Sequence, residues 1–166
     1  MELLKLAIDW AKTEIFSSTF FVVFGILFLL ASLGFWQFGK TDLAKAYIIP
    51  SLVAAVLLLI IGSGLIYSNL SRVNSFPNDY KQDAVSFVES EIDRTEKTLK
   101  GYKNVFVIIP LIIAICALLM IFFDSAVWRA SLITTIAMMS VILLIDGNAG
   151  SRIEAYHEQL LLIKEK

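Results

Sequence analysis

Between Glu14 and Lys40 the chain runs for 25 residues without a charged side chain, IFSSTFFVVFGILFLLASLGFWQFG. An α-helix rises about 1.5 Å per residue, so such a stretch covers the roughly 30 Å of hydrocarbon in a bilayer. The pattern recurs. Lys45 to Arg72 encloses 26 uncharged residues carrying SLVAAVLLLIIGSGLIY, and Lys103 to Asp124 encloses 20, NVFVIIPLIIAICALLMIFF. A fourth interval, Ala130 to Ile145, has 16 residues and spans only if Trp128, Arg129 and Asp146 reach toward the interfaces. In a chain that is 58% hydrophobic with a mean hydropathy of +0.77, against the roughly 45 to 50% apolar share of soluble domains, these intervals predict an integral membrane protein. Spans are expected at 15–39, 46–68, 104–123 and 128–146.

The expected fold is all-α: a single membrane domain built as a four-helix bundle, with amphipathic extensions on the cytoplasmic side. The first interval is too long for a signal-peptide core and three acids precede it, so it reads as a retained span. Residues 1–14 place Leu3, Leu6, Ala7, Trp10 and Ala11 on one helical face, which predicts either a short helix lying on the membrane or a continuation of the first span. VNSFPND reads as a break, after which 78–103 carries Val85, Val88, Ile92, Thr95, Leu99 and Tyr102 at alternating spacings of three and four. Asp93 with Lys97 and Glu96 with Lys100 add acid-first pairs four apart. That helix is expected to run into the third span, with Gly101 and Pro110 as hinge candidates. Near the C-terminus, DGNAGS reads as a turn, and Ser151 with Glu154 as a capping box that restarts a helix over 151–164. Its apolar stripe is expected to pack on the 78–103 helix, with Arg152 facing lipid phosphates or that helix.

Lysine and arginine set orientation. Eleven of the 14 fall in the N-terminal segment, the region from Arg72 to Lys103 and the C-terminal tail, which four spans put on one side. Both termini are therefore expected in the cytoplasm of a bacterial inner membrane. Trp36, Tyr47, Tyr67, Tyr102 and Trp128 fall near span ends, where amphipathic rings prefer to sit.

Catalytic chemistry finds no footing. Ionisable side chains at depth are where transporters and intramembrane enzymes work, and the first three spans contain none; Asp146, at the end of the fourth, reads as a solvated or capping carboxylate. His157 is expected on the surface of the last helix, and Cys116 reads as a small hydrophobe. One His and one Cys on separate segments supply neither a zinc site nor a disulfide. GNAGSR lacks the length and lysine of a phosphate loop, and no calcium loop can be read there. The expectation is no catalytic residue, no cofactor and no metal. A balance of 14 basic and 15 acidic residues makes nucleic acid a poor partner. Small residues carry the remaining signal: Gly62, Ser63, Gly64 and Ser68 on the second span, and Ala130 and Thr134 on the fourth, are the candidates for close helix packing or partner binding.

The plan of a small four-span chain with the tight outer hairpins KTDLAK and DSAVWR resembles that of bacterial immunity proteins against pore-forming toxins. What the resemblance implies is a non-enzymatic protein that binds the inserted helices of a toxin. A homo-oligomeric channel and an accessory subunit of a larger membrane complex are the alternatives, so partners are membrane lipid and either another protein or further copies of the chain. On this reading Gly64→Leu damages function, and trimming after Ser151 leaves it largely intact.

Overall fold

The computed structural model describes residues 2–164. Four long helices and one short one account for nearly all of them: α1 (Glu2–Phe38), α2 (Asp42–Ala46), α3 (Ile48–Gln82), α4 (Ala84–Phe122) and α5 (Ala126–Lys164). The described residues contain no strand. Each long helix is apolar enough over part of its length to cross a bilayer. At 35 to 39 residues they are about 52 to 58 Å long, far more than the roughly 30 Å of a hydrocarbon core. The chain runs up, down, up, down, so the surplus of all four gathers at one end. The molecule therefore has an apolar half and a polar half.

In the polar half all four helices share a core. Leu3, Ala7, Trp10 and Ala11 come from α1, Phe76 from α3, Phe87 from α4, and Ile153, Tyr156 and Leu160 from α5. In the apolar half only three do. Phe21 from α1, Ala54 and Leu58 from α3, and Met138, Val141 and Ile145 from α5 form the cluster, and α4 contributes no residue to it. Of the apolar window of α4, 11% is buried, against 28%, 28% and 33% for the other three.

The α1–α3 contact is the most extensive in the molecule, and small residues make it possible. A Cβ added at Gly62 would stand 2.9 Å from the Phe21 Cβ and 3.0 Å from the Val22 nitrogen, and one at Gly25 would stand 2.8 Å from the Leu59 side chain. Ser18, Ser51 and Ala55 are buried nearby. At the outer end Ser32 Oγ donates to the Ile48 carbonyl at 2.8 Å and Phe35 stacks on Tyr47, while Thr41 caps the short α2 through the Ala44 amide.

Three breaks expected from the sequence are continuous helix. α1 has no boundary at residue 14, and its Leu3–Ala11 face is buried against other helices rather than laid on a membrane surface. Of the two readings of this segment, continuation of the span is the one that stands. VNSFPND does not break α3, which passes through Pro77 and ends at Gln82. Phe76 and Tyr80 each meet Phe87 edge-on, at 5.3 and 5.8 Å, so an aromatic clasp retains the turns that proline weakens. The actual break is one residue, Asp83, in an extended conformation. Its carboxylate caps α4, accepting from the Val85 and Ser86 amides and the Ser86 hydroxyl. DGNAGS is helical as well. Ser151 Oγ donates back to the Gly147 carbonyl instead of capping a new helix, and Ala149, Gly150 and Ile153 are buried, with the Phe106 ring 3.3 Å from where a Gly150 Cβ would sit. A turn here would uncover that face, so packing overrides the local turn signal.

Candidate functional site: a buried charge network

α4 turns a face built on Phe87, Glu91 and Thr95, four apart, into the polar core; all three are buried. Of the expected stripe, Thr95 lies on this line, Val88, Ile92, Leu99 and Tyr102 pack beside it, and Val85, 70% exposed, falls outside. Glu91 places a carboxylate at the centre of this buried face. Glu91 accepts a two-pronged contact from Arg94, Nε at 2.8 Å and Nη2 at 2.7 Å, and a third hydrogen bond from the Tyr156 hydroxyl at 2.9 Å. The Arg94 guanidinium lies 4.4 Å over the Trp10 ring, which stacks on Tyr156 at 5.1 Å. The Glu91–Arg94 pair thus links α4 to α5 through Tyr156 and to α1 through Trp10. Burial, followed by the charge and hydrogen bond of Glu91, pushes the Tyr156 phenol well above its ordinary range, so it stays a donor.

A second pair stands where the polar half meets the apolar half. Arg152 Nε of α5 donates to Glu14 Oε1 of α1 at 2.9 Å. Arg152 Nη2 and Trp10 Nε1 are buried and have no acceptor among the described residues. α3 adds Arg72, which donates to Asn69 Oδ1 at 2.7 Å; desolvation and then Arg94 hold its affinity for a proton below the usual arginine value, against the opposing pull of Glu91 and Glu14. Thr95 Oγ1 and His157 Nδ1 are 2.7 Å apart, so His157 is half-buried and bonded across α4 and α5 rather than a free surface residue. Arg152 likewise pairs with Glu14 of α1 rather than with the 78–103 helix. The exposed pairs Asp93–Lys97 and Glu96–Lys100 form as the sequence predicts.

The small-residue candidates part company. Gly62 is locked against α1; Gly64, two positions on, has nothing within 4 Å, and Ser63 is also exposed. Ser68 is half-buried. Ala130 and Thr134 are buried within the chain, Thr134 beside a groove that includes Ala54 and Met138. Gly101 is exposed and open, and α4 is one helix through both Gly101 and Pro110. None of these residues belongs to the charge network. Its members, Glu14, Glu91, Arg94, Arg152 and Tyr156, had only a faint sequence signal: Glu91 stands midway between Phe87 and Thr95 at helical spacing.

Chemically, the network pairs opposite charges, Arg94 with Glu91 and Arg152 with Glu14. Removing one partner of such a pair leaves a buried charge, at a cost of about 3 to 5 kcal/mol. Among the described residues no three His, Cys, Asp or Glu side chains come together as a metal site. No protein family, curated protein or solved structure matches the chain.

Proposed function

We propose that this is a multi-pass protein of a bacterial inner membrane, both termini cytoplasmic, that acts without catalysis by binding another membrane helix. The observation that carries the reading is the position of α4. Its apolar segment lies outside the core that α1, α3 and α5 share, and presents Val107, Leu111, Leu118 and Ile121 outward at 56 to 73% exposure. The sharpest version is immunity: an inserted toxin helix lies against α4 and is kept from assembling its pore. Side-chain filling of the shared core by Phe21, Leu58, Met138 and Ile145 disfavours a conducting path through one chain, so a channel would have to form between copies.

A photoreactive phenylalanine analogue at Leu118, compared with one at Ile60 on the outward face of α3, tests the proposal in native membranes. A different polypeptide captured from Leu118 and not from Ile60 supports it. Capture of a second copy of the chain moves the channel reading to first place, and equal labelling from both positions overturns the role of α4.

A further inference from the structure

Two adjoining cavities lie between α1 and α5 at the junction of the halves. The larger, about 440 Å³, is walled by Phe16, Phe20, Phe24 and Leu144, with Ser17 and Asn148 toward its polar end. The smaller, about 230 Å³, is lined by Asp9, Trp10, Tyr156 and Gln159. Thr13 and Arg152 line both, so the two form one groove. The α1 wall of the larger cavity runs from Thr13 to Phe24, about 16 Å along the helix, starting among polar residues and ending among apolar ones. The apolar wall is open: Phe16 is 66% and Leu144 68% exposed.

From this groove we infer a binding site for one phospholipid with a zwitterionic aminoethyl-phosphate headgroup, its acyl chain along the phenylalanines. Trp10 and Arg152, the two side chains with a buried N–H that finds no acceptor among the described residues, both line the polar end, and a phosphate offers only acceptors. Lone positive charge does not decide the headgroup, because Glu14 already neutralises Arg152. The remaining charge on the lining is the exposed Asp9 carboxylate, which suits an ammonium and repels a purely anionic headgroup. Donors for phosphate and an acid for the amine, beside an apolar cleft that begins at the same level, match a lipid on both counts. The inference rests on membrane insertion but not on the identity of a protein partner.

The test is native mass spectrometry of the full chain in mild detergent, titrated with phosphatidylethanolamine, with phosphatidylglycerol of the same chains, and with glycerophosphoethanolamine, which lacks them. The expected result is preferential retention of phosphatidylethanolamine. Leu144→Trp, which fills the exposed wall without touching the charge network, lowers that retention about tenfold, roughly what ten lost heavy-atom packing contacts are worth. Asp9→Asn removes the preference over phosphatidylglycerol. Equal or better retention of phosphatidylglycerol, equal binding of the chainless headgroup, or indifference to Leu144→Trp each overturns the site. Failure of insertion would show separately, as protein in the soluble fraction before any lipid is added.

Discussion

The two halves of this molecule solve the same packing problem differently. In the polar half water is the alternative to contact, so the hydrophobic effect drives four helices onto one core, and the Glu91–Arg94 pair links three of them. In a bilayer, where we propose the apolar half sits, lipid solvates apolar side chains as well as protein does, and close association depends on shape. Helices with small residues at the crossing, α1 and α3, meet tightly, whereas α4, whose span is lined with Ile, Leu, Val and Phe, stays at the edge. The difference teaches that α4 is held to the other helices at its polar end and left adjustable at its apolar one.

The largest expected effect that bears on this contrast comes from truncation after Ser151. It removes Ile153, Tyr156 and Leu160, buried side chains whose individual loss costs about 2 to 5 kcal/mol each. Loss of cooperative unfolding in detergent, followed by circular dichroism, is the expected outcome; a truncated chain that melts like the full one would refute a four-helix core. The expectation drawn from the sequence concerns function, with the tail dispensable, whereas this outcome concerns the stability of the fold. Glu91→Ala comes next. Stranding Arg94 and Tyr156 is expected to lower unfolding free energy by about 3 to 5 kcal/mol, measured by denaturant titration. Gly62→Leu overpacks the α1–α3 crossing and is expected to cost about 1 to 3 kcal/mol in the same assay. Gly64→Leu, facing open space, and Leu118→Trp on the outward face of α4 are expected to stay within about 0.5 kcal/mol of the parent. A large loss from either would mean that the apolar half is as tightly packed as the polar one.

The smallest effect is local and depends on pH. The Ser86 hydroxyl, then the Ser86 and Val85 amides, hold the Asp83 carboxyl below its ordinary value. A group whose affinity for protons falls on folding stabilises the fold above its unfolded pKa, and that contribution is lost as pH falls through the folded one. Protection factors of the first-turn amides of α4, their exchange rates relative to the intrinsic rate at each pH, should therefore fall on acidification below about pH 4, where free aspartate titrates, with little change in the apolar segments.

Much of this architecture is legible in the sequence, and the residues show where legibility stops. Charge-free intervals locate the apolar segments because a single lysine or aspartate there is costly. The helix ends are hidden because Pro77, Gly147 and Gly150 are local signals, and distant aromatics override them: Phe87 across the turn from Phe76, and Phe106 against Gly150. Gly62 and Gly64 are the same residue type two positions apart, and only the placement of α1 tells which one is covered. Glu91 gives little burial signal in the sequence because a charged side chain ordinarily marks a solvated face. Here that rule fails because its partners arrive from Arg94, one turn away, and from Tyr156, 65 residues along the chain.

Asp83 is the sole residue between two helices of 35 and 39 residues, and the clasp around Phe87 closes over it. A joint that short behaves as the pivot of a pair of tongs. Whatever separates α3 from α4 has to swing them about the polar tip, with the outer ends travelling farthest. For arms about 52 Å long, a splay of about 10° displaces those ends by roughly 9 Å, close to the width of one further helix.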